Sequence, residues 1–219
     1  TPGNILARMF GRRGLHLYAY NAFQSIIRGG HILLTVRIRD EEVHSHGDSI
    51  DLLLCLNQDT MDRHLGLMEA GTRVVFNSDT IASGDATEGT QMCPMPIGEL
   101  SGGSRNKLVQ NTIALGVVTH LLDLEFDVLE TALEHQFGSK GQDTVEENTS
   151  AARTGYDYAA ANFVPYPDPI GSGEKPLALW TGNDALAMGG AAAGVKFYAA
   201  YPMSPATGVL HWMANNARN

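Results

Sequence analysis

Tyr201-Pro-Met-Ser-Pro205 is the stretch best equipped to hold an anion. Ser204 followed by Pro205 has the form of a helix N-cap with proline at the first helical position. A capped helix start presents unpaired N–H groups and a partial positive charge, which suits a carboxylate or a phosphate. A second stretch, Ser25-x-x-Arg28-Gly29-Gly30, sets a fixed cation beside backbone free to take positive φ. His44-Ser-His46 would share one face if it lay on a strand. Zinc wants three or four ligands and no third one follows at a readable spacing, so no metal site is assigned. Cys55 and Cys93 are the only cysteines, far apart and outside any C-x-x-C pattern. Two thiolates are too few for an iron–sulfur cluster, and Cys55, inside an apolar run, reads as a small core residue.

These groups need a scaffold, and 219 residues are enough for one sizeable core or for one domain with part of another. The net charge of −9 argues against a nucleic-acid or anionic-membrane surface. No apolar run reaches membrane-spanning length. Ile5, Leu6, Met9 and Phe10 predict a helix ended by Gly11 to Gly14, then a strand over Leu15–Tyr20. A helix–strand opening, on a chain that starts at Thr1, implies a strand upstream of the sequence. Further strands are expected at Ile32–Arg39, with a hairpin turn at Asp40-Glu-Glu42, and at Ile50–Leu56, whose continuous apolar run suits a central parallel strand. A helix from Gln58 to Glu69, the strand Arg73–Asn77 and a short strand within Gln91–Pro96 complete an open α/β sheet. In such sheets ligands gather beyond the carboxyl ends of strands, which places Asn57, Asn77 and Asp79 on the candidate face. Helices follow from Asn106 to Leu122, with Gly116 permitting close packing, and then over Val128–Phe137 and Asp143–Asn162. None of their residues is assigned a catalytic role. Val164–Pro176, rich in proline and glycine, reads as a linker. Beyond it lie a helix of small residues from Ala185 to Gly194 and a strand over Lys196–Tyr201, bounded by Pro202.

Gly182-Asn-Asp-Ala185, Ala193-Gly-Val195, Phe197-Tyr-Ala199 and Tyr201-Pro-Met-Ser-Pro205 together resemble the opening of the alpha subunit of 2-oxoacid:ferredoxin oxidoreductases. That family usually has glutamate where Asp184 stands, isoleucine at Met203 and threonine at Ser204. Ser25-x-x-Arg28-Gly29-Gly30 with its following strand, and Val145-Glu-Glu-Asn148 with Ala151-Ala152 and Gly155-Tyr156, resemble the gamma domain of the same enzymes. The parts stand in the order of a fused gamma–alpha subunit. The resemblance implies an α/β fold with a gamma-type domain of mainly parallel sheet over 1–163 and a linker over 164–176. Over 177–219 it implies the start of a pyrimidine-binding thiamine-enzyme domain.

The activity it implies is oxidative decarboxylation of a 2-oxoacid, pyruvate or 2-oxoglutarate in class, to its acyl-coenzyme A, with electrons passed to ferredoxin. Thiamine diphosphate, Mg2+ and a [4Fe–4S] cluster would be held mainly by a partner beta subunit, with coenzyme A as co-substrate. Tyr201, Pro202, Ser204 and Pro205 would contact the 2-oxoacid. Ser25, Arg28, Gly29 and Gly30 would lie on the coenzyme A side. No catalytic residue falls within the chain: the glycine-rich loop would precede it and the thiamine-activating glutamate would follow it. The location implied is cytoplasmic, with no nucleic-acid or membrane partner. Two other readings remain open, a non-catalytic assembly or coenzyme-binding module and a small-molecule-binding α/β protein without redox chemistry.

Overall fold

The computed structural model describes residues 2–22, 30–84, 86–104 and 106–217. They form two compact units, Thr1–Leu177 and Ala178–Asn219.

The first unit opens with helix α1 (Pro2–Arg12), which buries Ile5, Met9 and Phe10 along one stripe. Gly14, at φ +79°, ends it: its N–H reaches the Gly11 carbonyl at 3.0 Å, and the Leu15 N–H reaches Phe10 at 3.1 Å. This is a Schellman closure, with Leu15 and Phe10 packed in one core. Strands β1 (His16–Ala22) and β2 (Leu33–Arg39) pair antiparallel, with His16 opposite Arg39 and Ala22 opposite Leu33. A second sheet holds β3 (Leu52–Cys55), β4 (Arg73–Asn77) and β5 (Gln91–Met95), parallel and in that spatial order. The α/β fold expected from the sequence is therefore present, its parallel part in this second sheet. The central strand is β4, not the Ile50–Leu56 run. β4 is buried on both faces, whereas most of β3 is only half-buried and has one neighbour among the described residues. Asp40–Glu42 forms no hairpin tip, because no strand returns to pair with β2; Arg39 and Glu41 make an exposed ion pair there at 3.0 Å.

Side chains of the parallel sheet alternate between two layers. Cys55, Val74 and Phe76 face Met61 of helix α2 (Gln58–His64). Val75, Cys93 and Met95 face helices α4 (Lys107–Leu121) and α6 (Gln142–Asn162), while helix α5 (Phe126–Phe137) packs with α1 in a separate core. A four-residue helix α3 (Ile97–Leu100) links β5 to α4. Where α4 crosses α6 there is no room for side chains. A Cβ on Gly116 would lie 2.0 Å from the Ala152 carbonyl oxygen, and one on Gly155 would lie 2.0 Å from that of Ile113. Beside the crossing, Thr112 Oγ1 donates to Asn148 Oδ1 at 2.8 Å, satisfying two buried polar groups.

Residues 164–176, expected as an exposed linker, and Leu177 after them make backbone hydrogen bonds within the first unit. The N–H groups of Gly173 and Leu177 reach the carbonyls of Arg13 and Gly11 at 2.8 and 2.7 Å, occupying the open end of α1. The Tyr166 N–H does the same for Leu121, at the end of α4, at 2.9 Å. Arg73, 7% exposed, reaches from β4 to the carbonyls of Leu121 and Pro165 at 3.2 and 2.9 Å, and stacks on the Tyr166 ring at 3.9 Å. The carboxyl end of the α4 dipole and two carbonyls thus offset this buried guanidinium.

In the second unit, helix α7 (Gly182–Ala192) starts at a capping box between Thr181 and Asp184, and helix α8 (Thr207–Asn216) packs against it. Gly194, at φ +86°, closes α7. The strand expected at Lys196–Tyr201 does not form. The described residues of this unit offer no second strand to pair with, and the segment is irregular and exposed.

Candidate functional site

Three places carry the chemistry. The first is the Tyr201–Pro205 turn. Ser204 does not cap a helix: α8 starts at Thr207, with Ala206 at its N-cap position and no side-chain cap. The Thr207 N–H reaches the Met203 carbonyl at 3.2 Å, closing a single turn ahead of the regular helix. Asn183, in the first turn of α7, donates from Nδ2 to the Pro205 carbonyl at 2.7 Å and lies over Gly208, fixing the turn. Tyr201, Pro202, Ser204 and Pro205 are all exposed, with Tyr201 at 82%. The Ser204 hydroxyl is exposed and makes no hydrogen bond among the described residues.

The second place is the carboxyl end of the parallel sheet. Asn57 accepts the Thr60 N–H at 2.8 Å and caps α2. Asn77 Oδ1 accepts the Asp79 N–H at 3.0 Å, and Asp79 Oδ2 accepts the Gly98 N–H at 2.6 Å. All three side chains foreseen on this face are committed to backbone. Gly30 takes φ +87°. Ser25, Arg28 and Gly29 lie outside the described residues.

The third place has no signature in the sequence. His31 Nε2 meets His64 Nε2 at 2.9 Å, and His31 Nδ1 donates to Asp59 Oδ2 at 3.0 Å. The other oxygen of Asp59 accepts from Arg63 Nε at 2.7 Å. The Arg63 hydrogen bond is the largest influence holding the Asp59 carboxyl below the ordinary carboxylate range. Burial, then the neighbouring His31 and Arg63, lower the proton affinity of His64. Thirty-three residues separate the two histidines, so no spacing rule joins them.

Elsewhere the structure removes chemistry. Cys55 and Cys93 face opposite layers of the sheet. Burial pushes their thiols up to about 12 and about 11, so both stay protonated and neither supplies a thiolate. His44 and His46 lie in irregular backbone, not on a strand; His46 packs on Tyr20. Among the described residues no group of three His, Cys, Asp or Glu side chains could hold a metal ion. No helix among them is long and apolar enough to cross a membrane. A cleft of about 400 Å3 opens at the amino ends of the strands, between Asp51, Glu69, Arg73 and Tyr166. Arg73 is already committed there to carbonyls and to the Tyr166 ring.

Residues 1–158 match the family described as pyruvate ferredoxin/flavodoxin oxidoreductase. The chain is 25% identical over 215 residues to the 2-oxoglutarate oxidoreductase subunit KorA of Mycobacterium tuberculosis, a match covering 83% of this chain and 32% of that protein. It is similar to the 2-oxoglutarate:ferredoxin oxidoreductase of Magnetococcus marinus, solved with 2-oxoglutarate, coenzyme A and succinyl-CoA bound. There the TM-score is 0.84 with 27% identity, covering 99% of this chain and 38% of that one. It shares a fold with the keto/oxoacid ferredoxin oxidoreductase gamma subunit of Geobacter sulfurreducens, at TM-score 0.54 and 23% identity over 73% of this chain and 90% of that one. The chain spans 32% to 39% of the length of the curated relatives it matches.

Proposed function

The chain belongs to the pyruvate ferredoxin/flavodoxin oxidoreductase family, and we propose from this that it is part of the alpha subunit of a 2-oxoacid:ferredoxin oxidoreductase. The reaction joins a 2-oxoacid and coenzyme A, releases the carboxyl carbon as carbon dioxide, and forms the acyl thioester. The two electrons left by decarboxylation pass one at a time to ferredoxin. The observation that carries this reading is the likeness to the Magnetococcus marinus enzyme over 99% of the chain, in both units. The fold shared with a free-standing gamma subunit supports a gamma-type domain over 1–163. Residues 164–176 would then join it to 177–219, the start of a pyrimidine-binding domain.

Thiamine diphosphate supplies the electron sink for decarboxylation in such enzymes, and a [4Fe–4S] cluster carries the electrons away. The residues of this chain do not fit either group. Two protonated cysteines on opposite faces of a sheet cannot ligate a four-iron cluster, and the described residues form no cluster of Mg2+ ligands. On the resemblance, both groups are assigned mainly to a partner beta subunit. Within the chain, Ser204 and the Tyr201–Pro205 turn are assigned to the 2-oxoacid, since Ser204 presents an uncommitted hydroxyl on a turn fixed by Asn183. Ser25, Arg28, Gly29 and Gly30 are assigned to the coenzyme A side, on the resemblance and on the positive φ at Gly30.

The test is anaerobic assay of the full-length protein assembled with its beta subunit. Ferredoxin reduction should require both a 2-oxoacid and coenzyme A, and comparing pyruvate with 2-oxoglutarate identifies the substrate class. No ferredoxin reduction with any 2-oxoacid would refute the reading.

A further inference from the structure

His31, Asp59 and His64 have no part in the reaction proposed above, and their geometry fixes how many protons they can share. We propose that they form a single-proton clasp, which ties residues 30–32 to helix α2 at neutral pH and opens when the histidine pair takes up a second proton. The two Nε2 atoms are 2.9 Å apart. The ring centroids are 5.1 Å apart, close to that contact plus one ring radius at each end, so the nitrogens meet head-on. Head-on geometry suits a proton lying between two lone pairs and leaves no apex at which a metal ion could meet both.

The proton count follows from the partners. An ionised carboxylate only accepts, so His31 Nδ1 carries a hydrogen toward Asp59. Between the two Nε2 atoms there is then one hydrogen, whichever ring carries it. A second would aim two N–H groups at each other across 2.9 Å. The contact cannot survive that.

The surroundings favour the one-proton state. Among the described residues the charged groups facing the pair are Asp59 and Arg63, both from α2. Arg63 anchors Asp59 at 2.7 Å and so fixes the acceptor for His31. The His31 side chain is only 9% exposed. His64 Nδ1 is buried and has no hydrogen-bond partner among the described residues. Burial first, then His31 and Arg63, depress the proton affinity of His64, while Asp59 acts in the opposite sense. The clasp therefore holds through neutral pH and is lost as the pH falls through the lowered value for His64. What it holds is the entry to β2: Gly30, at φ +87°, turns the chain immediately before His31, and β2 begins at Leu33. The clasp sets the place of that turn relative to α2, independently of the reaction assigned to the protein.

Hydrogen exchange on the assembled full-length enzyme tests this without a mutation. Between about pH 7.5 and about pH 5, protection of the amides of residues 31–33 and 59–64 should show one step, after correction for the intrinsic pH dependence of exchange. Below the step, protection should fall about tenfold per pH unit. In His64→Gln, whose amide donates a hydrogen bond but takes no proton, the step should vanish. Asp59→Asn should lower protection at neutral pH. A wild-type profile without a step, or a step that persists unchanged in His64→Gln, overturns the proposal.

Discussion

Replacing Gly116 by alanine tests the closest packing in the molecule. The added methyl would sit 2.0 Å from the Ala152 oxygen and 2.8 Å from the Tyr156 nitrogen, both backbone atoms that cannot swing aside. Ordinary contact requires α4 and α6 to part by about 1 Å or more. Overpacking of this kind costs ~1–3 kcal/mol. The same separation stretches the buried Thr112–Asn148 hydrogen bond, which adds about 1 kcal/mol. Alanine's better helix propensity returns about 1 kcal/mol, so the net loss is about 1–3 kcal/mol. Gly155→Ala should cost a similar amount, since its methyl meets the Ile113 oxygen at 2.0 Å. The double variant should lose less than the sum, because helices already parted have room for the second methyl. Gly189→Ala in α7 is the control of opposite sign: nothing lies within 4 Å of that position, so it should stabilise by up to about 1 kcal/mol. Denaturant unfolding followed by far-ultraviolet circular dichroism is the assay, as both tryptophans, Trp180 and Trp212, lie outside the first unit. A Gly116→Ala protein as stable as the wild type would refute the helix crossing described here.

Arg73→Met should cost about 2–4 kcal/mol, the scale of losing hydrogen bonds from a buried charge, and should expose residues 164–177 to protease; unchanged cleavage there would dissociate Arg73 from that segment. Burial pushes the Tyr166 hydroxyl up to about 12, above its ordinary value near 10. The neutral phenol's contribution to stability is thus complete below about pH 10 and lost as the pH rises toward about 12. Comparing alkaline unfolding of the wild type with Tyr166→Phe should show a smaller pH slope in the variant. Ser204→Ala should lower 2-oxoacid turnover of the assembled enzyme by about ten- to a hundred-fold, while Ser204→Thr retains it. Because Ser204 caps no helix, thermal unfolding of Ser204→Ala should match the wild type; lost stability with full activity would reverse the assignment.

Local rules carried the helices and the parallel strands. The stripe Ile5–Met9–Phe10 and the stop at Gly14 depend on neighbours within a few residues, and both are where the sequence puts them. Gly116 was legible as a close contact because a glycine inside an apolar helix has few other uses. What failed depends on partners distant in the chain. Lys196–Tyr201 has strand composition but no strand to pair with among the described residues of its unit. Val164–Pro176 has linker composition, yet its few N–H groups are drawn onto the open ends of α1 and α4. Ser204-Pro205 carries the signature of a helix start, but only a single turn forms there and the regular helix begins at Thr207. The His31–Asp59–His64 contact arises only when the entry to β2 and helix α2 are brought together, which no local pattern encodes. The backbone of the Tyr201–Pro205 turn, proposed to hold the 2-oxoacid, was thus not legible, since the helix expected behind Ser204 begins three residues later.

The central claim is that this chain serves an enzyme that cleaves the bond between the carboxyl and carbonyl carbons of a 2-oxoacid and gives the acyl group to coenzyme A. Supplying the assembled enzyme with 2-oxoacid labelled at the carboxyl carbon, together with coenzyme A and oxidised ferredoxin, tests it most directly. The account predicts that label leaves as carbon dioxide in step with unlabelled acyl-coenzyme A and reduced ferredoxin. Label retained in an acyl product, or acyl-coenzyme A formed with no release of carbon dioxide, would contradict it.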